Sequence, residues 1–542
     1  MTGLIEGSDQ APASTGFDRR AFLQRLVLAS AAAWGLASVP VGAAAGPLTR
    51  PVVDLYLQEP ADRDIDLLDL TIAQAATRMR EGSLTPVDLV ERFLERIARF
   101  GATYQAWNTV LAERAIQRAR RLRVGPDSPA LTGIPIAVKD NFFTNGVLTT
   151  ANSFIYRDFV PTFDATVVAR LQRSGGIVLG KTQMGPLATT RATTPDGAIT
   201  TVNAWTPQNP AVYPGGSSTG SATAVAGRMA TVGIGTQTGG SITIPAQVQG
   251  LTGLKPTMGR CSLFGVIPLS YTRDHPGPLA RDIKDAAIML QSMAGPDPHD
   301  LRTLGLPEVP DLVKAATPVR RKGRVTIRWS TRLGVPTDYL TGDESVSALR
   351  RTMLNTMSNL GIDIVEIRLP DAWALLSGYA FNSVRLPERS EQFLEYLRSD
   401  LKLFGVSLTT WMQGLFVSGD EYVRGQRARL LLAEMALDQV FTACDVFAAE
   451  RADAFDIVGF PLVAFPIGMA MDDDAATMLP VGGLLATRPY AEDRLCAVTA
   501  AYQAVTSHHR NRPPEPTQAG AHARSSTRRL RLSLEDVERT GA

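Results

Sequence analysis

The chain has 542 residues, 44% hydrophobic and 20% charged, with 55 Lys and Arg against 53 Asp and Glu and a formal charge of +2. That balance suits a globular protein with a sizeable core and excludes one drawn as a whole to nucleic acid or acidic membranes. Three widely spaced cysteines (Cys261, Cys444, Cys496) argue against a disulfide framework, and five histidines, three of them at His508, His509 and His522, offer little for a metal site.

The N-terminus pairs Arg19 and Arg20 ahead of Phe22, Leu23 and an Ala- and Leu-rich run to Ala45. It resembles a twin-arginine export signal, with Asp18 and Gln24 departing from the commonest flanking residues, and small residues from Val41 to Ala45 suit cleavage. Gly35, Ser38, Pro40 and Gly42 make the run a poor membrane anchor, which needs about 20 apolar residues. The expectation is an exported protein, periplasmic or extracellular, whose partner during export is the twin-arginine translocation machinery. Its parts are a signal over 1–45, a linker over 46–66, one large domain over 67–512 and a tail over 513–542.

From Leu67 two amphipathic blocks read as helices, broken at Gly82 and restarted by the cap Thr85 and the first-turn Pro86. A third helix is expected over Leu111–Leu122. Short apolar runs then read as strands, Ile134–Val138, Ile177–Gly180 and Thr231–Gly235, with a helix over Ala165–Arg173. The segment Arg324–Leu369 repeats the pattern: VTIRW as strand, SVSALRRTMLNTMSNLG as helix, DIVEIRL as strand. Strands alternating with helices give an α/β fold with a buried parallel or mixed sheet. After Arg512 the chain turns to Pro, Ala, Ser and Arg and reads as a basic, disordered tail, with a short helix possible in its last residues, LRLSLEDVE.

Two stretches stand apart: PGGSSTGS, Pro214 to Ser221, and GTQTGGSITIP, Gly235 to Pro245. Neither carries the lysine of a phosphate loop, and the Ala- and Val-rich run between them must be packed, so they are not linkers. Gly216 to Gly220 fits G-x-S-x-G, which would make Ser218 a nucleophile. That elbow follows a strand directly, whereas TPQNPAVYPG precedes this one.

The run Ala211–Arg260, with GIPIAVKDN upstream, the residues Asp274, Gly277, Pro278 and Arg281, and GFPLVAFPIG from Gly459 together resemble the amidase signature family of serine hydrolases. A weaker likeness extends from Leu67 to Arg512. The resemblance implies a single large α/β domain with a mixed central β-sheet covered by α-helices, and a Ser-cisSer-Lys triad: Ser241 as nucleophile, Ser217 after a cis peptide bond as proton carrier, and Lys139 as base. Beside it stands a physical reading of the residues. Lys139 closes an apolar strand, where burial lowers an amine's pKa until it can act as a base. The glycines before Ser241 let backbone N–H groups of Thr238, Gly239, Gly240 and Ser241 converge as an oxyanion hole, and a helix begun near Pro245 would leave neighbouring N–H groups free for an anion. Ser218 is expected to support the network.

The sequence departs from the family in four places: Gln237 replaces the usual aspartate of G-T-D-x-G-G-S, Thr243 the usual arginine two residues after the serine, Thr219 a commoner glycine, and QMGPLAT, Gln183 to Thr189, lacks the acidic residue often found after its methionine. A neutral contact between Gln237 and Thr243 is expected in place of the aspartate and arginine. The expected function is an amidase hydrolysing a small-molecule carboxamide through a serine acyl-enzyme, a mechanism that needs no metal, no organic cofactor and no nucleic acid. The alternatives are an amidotransferase-type subunit that works with a partner and a catalytically silent binding protein. SGYAFNSVRLPERS, from Ser377, is read as one of the loops around the acyl pocket.

Overall fold

Thr71 and Thr85 each close a capping box, with Gln74 and Asp88, and start the helices Ile72–Arg80 and Pro86–Tyr104. Each box satisfies N–H groups that a helix start leaves without partners, so the two expected helical blocks form with Pro86 in the first turn. The computed structural model describes residues 64–472 and 475–517. The export segment, most of the linker and the tail from 518 onward, including LRLSLEDVE, lie outside the described residues.

The expected third helix is Ala112–Arg121, and the expected strands appear nearly in register with their apolar runs. In chain order they are β1 (Trp107–Val110), β2 (Pro135–Lys139), β3 (Ile177–Thr182), β4 (Val232–Gln237), β5 (Thr252–Lys255) and β6 (His275–Ala280). Then come β7 (Val319–Arg321), β8 (Arg324–Thr326), β9 (Arg332–Pro336), β10 (Asp363–Ile367), β11 (Val446–Ala448), β12 (Leu462–Asp472) and β13 (Thr477–Thr487). Eleven of them form one mixed sheet in the order β1-β3-β2-β4-β6-β5-β12-β13-β11-β9-β10. β2 runs parallel to both β3 and β4, while β4, β6, β5, β12, β13 and β11 alternate in direction. Strands β2 to β6 are buried along their whole length, as a sheet with both faces covered by helices requires.

VTIRW does not join this sheet. Only its first two residues are in β8, which pairs with β7 in a separate, largely exposed two-stranded hairpin. The central strand of this region is β9, whose sequence RLGVP carries a glycine and a proline and so reads poorly as a strand. At the other end Glu515 meets Arg96 at 2.9 Å and Arg228 at 2.8 Å. Residues 513–517, expected to belong to the tail, are thus in contact with the domain through Glu515.

For the site, the parallel pair β2 and β4 matters most. Ile136, Ala137 and Val138 stand opposite Val232, Gly233 and Ile234, so the two strands end side by side, at Lys139 and at Thr236–Gln237. The carboxyl ends of parallel strands are where open α/β sheets gather ligands.

Candidate active site

Lys139 is fully buried at the end of β2. Its Nζ lies 2.8 Å from Ser217 Oγ, 3.0 Å from Ser218 Oγ, 2.9 Å from Thr236 Oγ1 and 3.2 Å from the Thr236 carbonyl. Four oxygens and no carboxylate surround it. Burial drives its pKa well below that of an ordinary lysine, with only the charge of Asp274 opposing the shift. Desolvation of this kind favours the neutral amine over the ammonium.

Ser217 and Ser218 precede the helix Thr219–Ala226, and the Gly216–Ser217 peptide bond is cis. Gly235 of β4 makes this approach possible: a Cβ there would fall 2.5 Å from Ser218 Oγ. Ser218 in turn donates to the Thr236 carbonyl at 3.2 Å. No strand enters this turn, and Ser218 is spent on Lys139 and β4.

Ser241 closes the loop that leaves β4 and is 6% exposed, the most open of the three serines. Its carbonyl accepts the Ser218 N–H at 3.3 Å, which ties the two glycine-serine stretches together. Among the described residues, no hydrogen bond joins Ser217 Oγ to Ser241 Oγ. Lys139 and Ser217 are thus hydrogen-bonded while Ser217 and Ser241 are not; hydrogen bonds in such sites often tighten only when substrate is present.

The loop 238–241 is held from several sides. Thr238 Oγ1 donates to Asp274, whose carboxylate also accepts the N–H groups of Leu269 and Ser270. Arg273 Nη2 donates to the Thr238 carbonyl at 3.0 Å. Gly240, at φ 81°, in the region glycine alone enters cheaply, donates its N–H to Asp456 at 2.7 Å. That corrects one expected oxyanion donor. The Gly240 N–H is already taken, and those of Thr238, Gly239 and Ser241 have no partner among the described residues.

A second correction concerns the helix after Ser241. It starts at Thr243, two residues before Pro245, and its leading N–H groups are not free for an anion. Gln237 Oε1 accepts from Ile242 N at 2.8 Å, Thr243 N at 2.9 Å and Thr243 Oγ1 at 3.2 Å. The expected neutral contact between Gln237 and Thr243 is thus present. Gln237 Nε2 reaches further, to Asp456 at 2.8 and 3.1 Å, and Asp456 faces Lys255 at 3.3 Å.

SGYAFNSVRLPERS is not a loop. It lies within the helix Trp373–Glu391, Pro387 included. This helix covers the loop 238–241: a Cβ on Gly239 would lie 3.0 Å from the Phe381 ring and 3.9 Å from Arg385 Nη1. Phe381 also meets the guanidinium carbons of Arg273 at 4.5 Å and Arg385 at 4.3 Å. Arg273, Arg385 and Arg389 are all buried, and among the described residues none makes a salt bridge. Arg385 Nε and all three guanidinium nitrogens of Arg389 lack hydrogen-bond partners. Burial pushes Arg273 and Arg389 down to about 10, and burial with repulsion from Arg389 and Arg273 takes Arg385 well below the usual arginine range. Sequence reasoning missed this wall, along with Thr236 and Asp456. Thr236 had a signal, as the residue beside Lys139 on a parallel strand; Asp456 had none.

A family model described as Amidase matches residues 88–449. The A subunit of the glutamyl-tRNA(Gln) amidotransferase of Roseiflexus sp. (strain RS-1) is 33% identical over 505 residues, covering 83% of this chain and 99% of that protein. Its namesake from Pelobacter propionicus (strain DSM 2379 / NBRC 103807 / OttBd1) is 35% identical over 438 residues, 76% of this chain and 86% of that one. Among solved structures, the native peptide amidase from Stenotrophomonas maltophilia superimposes with a TM-score of 0.70 at 26% identity, covering 83% of this chain and 99% of that one. The eleven-stranded mixed sheet flanked by helices is the amidase signature fold. These relatives also correct the expectation of an exported, periplasmic or extracellular location: they are named for a charged tRNA, a cytoplasmic molecule. The expectation rested on the composition of one short segment, which lies outside the described residues.

Proposed function

The chain belongs to the amidase family, and from that premise we propose that it cleaves a carboxamide with Ser241 as nucleophile, Ser217 as proton carrier and Lys139 as base. The observation that carries this reading is the buried Lys139 amine, surrounded by hydroxyl and carbonyl oxygens and 2.8 Å from Ser217 Oγ. Lys139 accepts the Ser217 proton as Ser217 accepts that of Ser241, and Ser241 Oγ bonds to the amide carbon. The oxyanion is met by the N–H groups of Thr238, Gly239 and Ser241, each such donor being worth about 3 kcal/mol in the transition state. The C–N bond then breaks, the nitrogen leaves with the proton returned through Ser217, and water releases the acyl group as a carboxylic acid.

The relatives favour an amidotransferase-type subunit, one that frees ammonia from an amide donor for a partner to use. The wall of Arg273, Arg385 and Arg389 agrees with a donor that carries a carboxylate, as glutamine does, because buried cations without counter-ions favour an anion beside them. A second reading, an amidase that works alone, has the peptide amidase likeness in its favour.

One experiment tests the chemistry and a second divides the readings. A fluorophosphonate probe should label the wild-type chain and not Ser241→Ala; an unlabelled wild-type chain refutes the nucleophile. Glutamine and a panel of neutral amides are then incubated with the chain alone. Steady release of ammonia from a neutral amide favours the lone amidase, and glutamine cleavage that needs an added partner favours the amidotransferase reading.

A further inference from the structure

Asp456 lies in the short helix Asp453–Val458, more than 200 residues from the serines in sequence, yet it is fully buried against their loop. Its carboxylate receives three donors: Gly240 N at 2.7 Å, Gln237 Nε2 at 2.8 Å and Lys255 Nζ at 3.3 Å. Gly240 is the residue immediately before Ser241. Gln237, through its other end, holds Ile242 and Thr243, the two residues immediately after it. The nucleophile is thus clamped on both sides by one continuous set of hydrogen bonds, and Asp456 supplies its only negative charge.

We propose that Asp456 is a positioning residue for the nucleophile loop, and that it supplies from position 456 the buried negative charge that the family's motif carries at position 237. The inference rests on the reading of Ser241 as nucleophile. It explains why a glutamine is tolerated at 237. A carboxamide is the side chain that can donate to Asp456 and accept from the turn 242–243 at once, whereas a second carboxylate would face Asp456 as a like charge. Lys255 has its counter-ion in the same carboxylate, at 3.3 Å. Asp456 never reaches the substrate; it acts through the Gly240 N–H, whose direction fixes where the neighbouring Ser241 N–H and Oγ point.

The test compares wild type, Asp456→Asn, Gln237→Asp and the double variant Gln237→Asp/Asp456→Asn by two readouts. The first is the rate of fluorophosphonate labelling, resolved into probe affinity and covalent step; the second is amide hydrogen exchange in the peptide containing Gly240. Asp456→Asn turns an NH2 group towards a site that already holds three donors. Labelling should slow at least tenfold in the covalent step with probe affinity unchanged, and the Gly240 amide should exchange at least tenfold faster. The double variant, with one carboxylate again facing Lys255, should recover to within tenfold of wild type in labelling and should do so even if Asp456→Asn alone does not fold. Asp456→Asn with wild-type labelling and wild-type exchange overturns the inference, as does slowed labelling without faster exchange. A double variant no better than Asp456→Asn overturns the relocation of charge. A wild-type chain that the probe does not label refutes the nucleophile instead, and exchange at Gly240 then decides alone whether Asp456 anchors the loop.

Discussion

Gln237→Asp, made alone, should destabilise the protein in a way that depends on pH. Gln237 is fully buried, and its Nε2 sits 2.8 and 3.1 Å from the two oxygens of Asp456. An aspartate there brings two carboxylates to about 4 Å, a repulsion of roughly 4 kcal/mol at an effective dielectric constant of about 20. Lys255, at 3.3 Å from Asp456, already neutralises one charge and cannot neutralise both. The chain avoids the full cost by binding a proton between the two acids, which raises the folded pKa of the pair above the unfolded value of about 4. Between those two values the native state holds more protons than the unfolded state, so stability falls as pH rises through the window. Near pH 4 the penalty should be small. At pH 8 it should approach about 4 kcal/mol, a drop of roughly 4 °C in Tm for a body of about 450 residues. Thermal unfolding of wild type and variant at pH 5 and pH 8 measures it. An unchanged Tm at pH 8 would refute the reasoning, and an equal loss at both values would assign the effect to packing instead of charge.

Three other perturbations follow from the same geometry. Asp274 is the one charge that opposes the lowering of the Lys139 pKa; Asp274→Asn should lower that pKa further and shift the acid limb of the pH–rate profile to lower pH, and a shift to higher pH would contradict the assignment of the base. Arg385→Ala should raise KM for glutamine about 10- to 100-fold, the worth of a hydrogen bond to a charged group, while leaving KM for a neutral amide unchanged; equal effects on both substrates would remove the carboxylate from the argument. Gly235→Ala sets a Cβ 2.5 Å from Ser218 Oγ, forcing Ser218 off Lys139; overpacking of this kind costs about 1–3 kcal/mol and should cut the labelling rate at Ser241, and a variant equal to wild type in both would mean the approach is looser than the distance implies.

Much of the site can be read from the sequence because local chemistry writes it there. The apolar run before Lys139, the run before Gln237 and the paired glycines ahead of each serine stretch carry their own conformational preferences, and the strands and turns they indicate are those observed. What escapes such reading is what depends on distant contacts. Nothing local marks Asp456, since its role exists only because another helix is packed 216 residues from Gly240 along the chain. The helix Trp373–Glu391 reads as a loop because Ser377, Gly378 and Pro387 are all turn-forming residues. Packing against the nucleophile loop and against the helix Gly419–Met435 overrides that local preference. β9 is obscured for the same reason in reverse: RLGVP has little strand character, but β11 on one side and β10 on the other supply its partners.

Three lysines of this sheet are fully buried, Lys139, Lys181 and Lys255, so burial by itself does not single out a base. Desolvation lowers the pKa of all three. Their partners differ. Lys181 faces Asp140 at 3.1 Å and Lys255 faces Asp456 at 3.3 Å, and a carboxylate at that distance holds an ammonium charged against the loss of water. Lys139 has only hydroxyl and carbonyl oxygens around it, which hold no charge of their own. Two of the lysines are therefore structural cations bound to structural anions. The third is the one that the proposed chemistry uses as its base, and it is the one that touches Ser217. The same rule fits Asp456, a carboxylate set against Lys255 at 3.3 Å and absent from the oxygens that hydrogen-bond Lys139. A carboxylate beside Lys139 would stabilise the ammonium and take away the base on which the proposed chemistry depends.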